Sequence, residues 1–562
     1  MWFSTPFPCP KPPNRSRIRA VPTLHVTYAG QDHDAPFGTV PAVWATSRTA
    51  AVLVNGRLAS LNQPLVCDAR IEPVDLDSRL GHRVYRRTLA FVLERARREA
   101  GVGPLVLGPS WGGAHSYETV DGRPLSLESF QKLSQAFSRL VAAPLVLEPV
   151  SVPFAAAWAA LDHPDDADAR LLLGQKNPAE VSLVRIEGAL AWEPEVLLPS
   201  TGMLTVGGPE ASDSGVVLTL PAKAWPLVPG PWKPSEALRK AHAEDRSWGR
   251  LQGVTTVAAL NALAGHSGRI EALVQGAEAV HERRIAALAD QAAARGARIV
   301  LVAGPSSSGK TTFAKRLAVQ FQAIGRQPLA VSLDDYFVDR QDTPKDAEGR
   351  YDFECLGAMD RARLAADLEG LLADRTVDLP VYDFKTGARK AQGRPYRLGA
   401  DGVLILEGIH GLNRELWPQR PDQGCFTVFV SALTSLTREG RTRISTSDHR
   451  LIRRLVRDHQ FRGYTALQTL RQWPSVRRGE DAHLFPFQDG ADGVFNSALA
   501  YEFAVLRESA LPLLETVAPE HPEYPQAQFL RSFLESVRPI PLRFVPPFSL
   551  LREFVGQSGF HY

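Results

Sequence analysis

The chain has little cysteine, no long apolar run and almost no excess of charge. Its four cysteines, Cys9, Cys67, Cys355 and Cys425, are widely separated and form no C-x-x-C pair. That excludes a zinc ribbon and a disulfide framework and fits a reducing, cytoplasmic setting. No stretch of roughly 18 consecutive apolar residues occurs, so no membrane span is expected. The net charge of +3 rules out a polyanion-coating surface, and any basic site must be local. Internal repeats and low-complexity tracts are also missing. What remains is 562 residues with 44% hydrophobic and 22% charged content, ordinary for a globular chain of about three or four domains.

The organising stretch is Ile299–Thr312. The β-branched apolar run Ile299-Val-Leu-Val-Ala303 leads into Gly304-Pro305-Ser306-Ser307-Ser308-Gly309-Lys310-Thr311-Thr312, followed by a helical pattern. This fits G-x-x-x-x-G-K-S/T between a strand and a helix. The glycines allow a tight turn whose N–H groups point inward, and the helix adds its positive N-terminal end. In such a loop Lys310 reaches the β and γ phosphates and the Thr311 hydroxyl meets Mg²⁺. A second strand, Leu329–Leu333, ends on Asp334 and Asp335, and a third, Gly402–Leu406, ends on Glu407. In a parallel sheet the carboxyl ends of the strands carry the site, so these acids are expected beside the phosphates. Further on, Asp448–His459 reads as a helix with Arg450, Arg453, Arg454 and Arg457 on one arc and Leu451, Ile452, Leu455 and Val456 on the other. Such a stripe is either a solvated face or a phosphate-gripping lid, since guanidinium forks match phosphate oxygens.

The remainder divides as follows. Residues 1–22 read as a disordered leader and 23–80 as a small β-rich module with an Asn55-Gly56 turn. Residues 81–225 read as an α+β domain whose first helix buries Tyr85, Leu89, Val92 and Leu93. A Pro-rich break at 226–234 opens a linker and helices (226–296), the P-loop domain spans 297–485, and 486–562 is expected to be a helical extension packed on it.

Several motifs together resemble the uridine kinase and phosphoribulokinase family. They are the P-loop, Ser332-Leu-Asp-Asp-Tyr-Phe337, Tyr351-Asp-Phe-Glu354, Pro380-Val-Tyr-Asp-Phe384, Leu406-Glu-Gly-Ile409 and Arg450-Leu-Ile-Arg-Arg-Leu-Val-Arg-Asp458. The resemblance implies an α/β P-loop kinase with a parallel sheet. It would move the γ-phosphoryl group of ATP, with Mg²⁺, to the 5′ hydroxyl of a ribonucleoside of the uridine or cytidine type. Residue by residue, it implies that Asp334 meets the acceptor hydroxyl and that Lys310 and residues 304–312 hold ATP. Arg450, Arg454 and Arg457 would serve as lid cations, and Thr311 and Glu407 would meet the metal. Asp352, Tyr382 and Arg389 would bind substrate, Asp352 on the ribose and Tyr382 on the base. Where the short uridine kinases continue Tyr-Asp-Phe-x-x-His-Ser-Arg, this chain has Lys385-Thr-Gly387-Ala-Arg389, so the base is left open.

The front half, notably Gly81-His-Arg-Val-Tyr-Arg-Arg-Thr-Leu89 and Pro199-Ser-Thr-Gly202, is similar to the N-terminal part of threonyl-tRNA synthetase, a β-grasp module followed by a second additional domain. Between His82 and His163 the only histidine is His115, and no cysteine lies between Cys67 and Cys355. The metal-type constellation of editing domains is therefore not expected, and the region reads as a binding or regulatory module. Two alternatives stay open. One is a P-loop kinase for another hydroxyl acceptor, such as a sugar phosphate or pantothenate-like compound. The other is an RNA-binding, ATP-gated regulatory protein. Oligomeric state is not legible.

Overall fold

A computed structural model describes residues 22–561 apart from 347, 348, 350, 384, 385 and 422. Residues 1–21 of the expected leader 1–22, Cys9 among them, and Phe384 and Lys385 lie outside the described residues.

Five strands form an all-parallel sheet in the order Gln327–Ser332, Gly402–Glu407, Ile299–Ala303, Cys425–Ser431, Gly493–Asn496. The strand feeding the P-loop is central, so both its faces must be apolar, and the alternation of side chains shows how they are shared. Val300, Val302, Val403 and Ile405 face one core, whereas Ile299, Leu301, Leu404 and Leu406 face another. The first core includes residues of the helices Ser267–Ala294, Lys310–Ala323, Thr446–Arg462 and Glu502–Glu515. The second includes Leu364, Leu368 and Leu371 of Arg361–Leu372. This is the α/β P-loop kinase architecture expected.

Two features shift the expected boundaries. The fifth strand, Gly493–Asn496, comes from beyond residue 485 and gives the sheet a short edge beside Cys425–Ser431. Residues Ser267–Ala294 form one 28-residue helix that contributes Ile285, Leu288, Ala289 and Ala292 to the kinase core, more than a linker would.

In the front half, residues 23–75 form a five-stranded mixed sheet. Its Val54↔Arg57 hairpin turns through Asn55 (φ 49°) and Gly56 (φ 77°), the positive φ pair that two-residue hairpins require. The helix Arg79–Glu99 is capped by Ser78, whose side chain accepts the Gly81 N–H, and it buries Tyr85, Leu89, Val92 and Leu93. It packs with a four-stranded antiparallel sheet and the helix Leu127–Ala142.

The two halves meet on the loop that feeds the arginine-rich helix. Thr437 bridges Thr256 in parallel. Arg87 donates to Glu193 (2.8 and 2.6 Å) and to the Thr442 hydroxyl (2.8 Å), and Arg441 pairs with Asp166 (2.7 Å). No helix among the described residues is long and apolar enough to cross a membrane.

Candidate active site

The P-loop adopts the shape its residues dictate. Ser307 (φ 58°) and Gly309 (φ 86°) take left-handed backbone, and a Cβ on Gly304 would stand 2.1 Å from the Val430 carbonyl oxygen. The loop carbonyls are held from the arginine-rich helix. Arg450 donates to Ser306 O at 2.8 Å, and Arg453 to Ser307 O and Ser308 O at 3.4 Å. With those carbonyls bound, the loop is fixed in a form suited to turning N–H groups toward an anion. Lys310 opens the helix Lys310–Ala323 and donates to Pro305 O at 3.3 Å.

Strand register brings the acids to the loop. Glu407 sits opposite both Ser332 and Val302 across its two neighbouring strands. Its Oε1 accepts the Thr311 hydroxyl at 3.1 Å and the Ser332 hydroxyl at 2.9 Å. Burial, with Asp334 nearby and Lys310 opposing, pushes Glu407 up from its ordinary 4.5 to about 7. Asp334 is also raised by burial, against the pull of Lys310, Arg462 and Arg457. Lys310, Thr311, Glu407 and Asp334 are thus one electrostatic unit.

Asp334 and Asp335 lie in a 3₁₀ turn, Leu333–Tyr336, and not on the strand, which ends at Ser332. Asp335 Oδ1 accepts the Tyr382 N–H at 3.0 Å, so it holds the neighbouring segment in place.

The arginine stripe is neither a solvated face nor four equivalent phosphate grips. Arg450 is buried and bidentate to Glu480 (2.5 and 2.8 Å), while Arg453 is buried against Glu502 (2.7 and 3.0 Å). Arg454 reaches the Ser306 hydroxyl (2.8 Å) and Asp458 (3.0 Å). Arg457 and the more exposed Arg462 both pair with Asp458 and both act on Asp334. Arg462 lies beyond the stripe, and its i,i+4 spacing from Asp458 is the sequence signal that marks it.

On the flank, Tyr382 is buried with its ring 5.8 Å from Phe337, which in turn stands 6.2 Å from Phe353. Asp352 Oδ1 accepts the Glu354 N–H at 3.0 Å, and Arg389 pairs with Asp360 at 2.8 Å. Glu354, pushed up to about 7 by burial, feels Arg454, Glu480, Asp334 and Lys310. Glu354, Phe337 and Phe353 are not among the site residues the resemblance implies, although all three stand inside its motifs.

The raised Glu407 has a consequence for stability. A carboxyl whose folded value lies above its ordinary one stabilises the fold below about 4.5, and that contribution is lost as pH rises through about 7. Glu407→Gln keeps an acceptor for Thr311 and Ser332 without the charge. It should melt a few degrees above the wild type at pH 8 without nucleotide and alike at pH 4, as read by thermal unfolding at the two pH values. An unchanged difference between them would show that Glu407 titrates normally.

A central parallel sheet, a G-x-x-x-x-G-K-T loop and acids at the strand ends define a P-loop kinase. The family model described as "Phosphoribulokinase / Uridine kinase family" matches residues 299–501. The uridine kinase of Deinococcus deserti is 33% identical over 176 residues, 31% of this chain and 75% of that protein. The uridine kinase of Chloroflexus aggregans is 30% identical over 222 residues, 38% of this chain and 95% of that protein. A solved structure described as a possible uridine kinase from Bacillus stearothermophilus shares 21% identity, covers 38% of this chain and 97% of its own, and superposes with a TM-score of 0.27. The chain belongs to the phosphoribulokinase and uridine kinase family.

Proposed function

We propose that the chain transfers the γ-phosphoryl group of ATP to the 5′ hydroxyl of a ribonucleoside, most simply one of the uridine or cytidine type. The observation that carries this reading is the placement of Asp334. It leaves the sheet beside Glu407 and stands in the field of Lys310, Arg457 and Arg462. Phosphoryl transfer asks for positioning and charge neutralisation more than covalent help. Asp334 would orient the acceptor hydroxyl and take its proton, while Lys310 and the helix arginines offset charge on the phosphates. The Thr311 hydroxyl with Glu407 is an oxygen-only donor pair, which fits Mg²⁺. Bound there with the nucleotide, the ion would supply charge neutralisation at the phosphates.

The wall of Phe337, Phe353 and Tyr382 supports an acceptor with a planar ring, since aromatic faces stack on bases. Asp352 and Arg389 flank that wall and would contact the ribose and base edge. The front half we read as a binding or regulatory module; its attachment to residues 437–443 would let a ligand there act on the arginine-rich helix.

The test is a panel of nucleosides, sugar phosphates and pantothenate-like alcohols with ATP and Mg²⁺, following ADP and the phosphorylated product. ADP release that depends on uridine or cytidine is expected. Release with a non-nucleoside acceptor alone would move the substrate assignment. Release that responds to RNA and yields no phosphorylated alcohol would sink the transferase reading.

A further inference from the structure

The C-terminal segment enters the phosphate cradle. After the helix Tyr524–Leu534 the chain returns to the P-loop helix, and Leu550, Leu551 and Phe554 are wholly buried there. Leu550 covers Gly309 so closely that a Cβ on that glycine would stand 2.4 Å from Leu550 Cδ2. Phe554 lies 5.0 Å from the guanidinium of Arg453, the residue that holds Ser307 O and Ser308 O. Between these anchors, half-buried Glu553 turns toward the loop. Its Oε2 accepts both the Thr312 N–H at 3.0 Å and the Thr312 hydroxyl at 2.6 Å.

Those donors have a particular position. Lys310 begins the helix, so the Thr312 N–H is among the first four that no intrahelical carbonyl can satisfy. In a loop of this type the N–H groups at the helix start cradle the α and β phosphates. A carboxylate is at home at such a helix end, for the same electrostatic reason that a phosphate is. The two cannot share one N–H, and as like charges they repel.

We propose that Glu553 is a built-in competitor for the phosphoryl donor: its carboxylate holds the Thr312 N–H and hydroxyl until a nucleotide phosphate oxygen displaces it. The proposal rests on the P-loop binding a nucleoside triphosphate, as argued above. The segment's backbone stays where Leu550, Leu551 and Phe554 bury it, so exchange is a rotation of the Glu553 side chain alone. Lys315, one turn along the P-loop helix, interacts electrostatically with Glu553 and donates to the His561 carbonyl.

The experiment is Glu553→Gln in the full chain, which preserves shape and an amide oxygen while removing the charge. Exchanging a charged for a neutral acceptor should lower the KM for ATP about tenfold, with the gain on KM and not on kcat. A KM for ATP that is unchanged or raised overturns the competitor and leaves the kinase reading standing. Failure of wild type and variant alike to bind ATP overturns both. Should the variant not fold, a crystal structure of the wild-type chain with a non-hydrolysable ATP analogue decides. A phosphate oxygen on the Thr312 N–H with Glu553 turned away supports the proposal, and Glu553 still on Thr312 refutes it.

Discussion

Lys310→Ala should give a chain that folds as the wild type does and transfers phosphoryl at no more than about a hundredth of its rate, the order lost when a single preorganised charge is removed from a closed site. The fold has little at stake. Lys310 makes one hydrogen bond, to Pro305 O at 3.3 Å, and alanine is a good helix former at that position. The chemistry loses twice. The phosphates lose a cation, and Asp334 and Glu407, both pulled down by Lys310 against burial, become harder to ionise. Circular dichroism and a thermal melt alongside kcat decide the matter. Near-normal turnover in a folded variant would remove Lys310 from the mechanism.

Asp334→Asn should lower kcat by about 10² to 10⁴ with ATP affinity nearly kept, the usual loss for a positioned general base. Asp335→Asn should do far less, because asparagine retains an oxygen to accept the Tyr382 N–H now bound at 3.0 Å. The two acids part company because they lie in the 3₁₀ turn Leu333–Tyr336, where successive side chains are about 120° apart. A strand would have set them on opposite faces, which leads to the same division by a different geometry. Measuring kcat and ATP affinity for both single variants tests the assignment. A larger kcat loss in Asp335→Asn would exchange their roles.

The kinase half was legible wherever local pattern and chemistry coincide. The P-loop, the apolar strands and the acids at their ends follow from short-range spacing, and the observed strands Gln327–Ser332 and Gly402–Glu407 differ from the expected ones by at most two residues at either end. The arginine stripe was legible as a stripe and not as a set of partners. Glu480 and Glu502, which bind Arg450 and Arg453, lie 30 and 49 residues along the chain, beyond any helical periodicity. The fifth strand was hidden because Gly493–Asn496 is only four residues long, and its alternation has no room to show. Glu553 was hidden for a related reason: its contact with Thr312 spans 241 residues. Phe337 and Phe353 stand inside the motifs Ser332–Phe337 and Tyr351–Glu354, where an apolar ring carries no chemical signal of its own beside the acids.

The loop between the strand Cys425–Ser431 and the arginine-rich helix is gripped by Arg87, Asp166 and Thr256, all from residues ahead of the P-loop. The helix that braces the phosphate loop therefore has its mounting in another part of the chain. A transplant of residues 297–501 into a foreign protein would carry the reactive groups but not that mounting, and Arg441 would lose its pairing with Asp166. An excised segment would therefore have to replace the contacts that Arg87, Asp166 and Thr256 now make with residues 437–442.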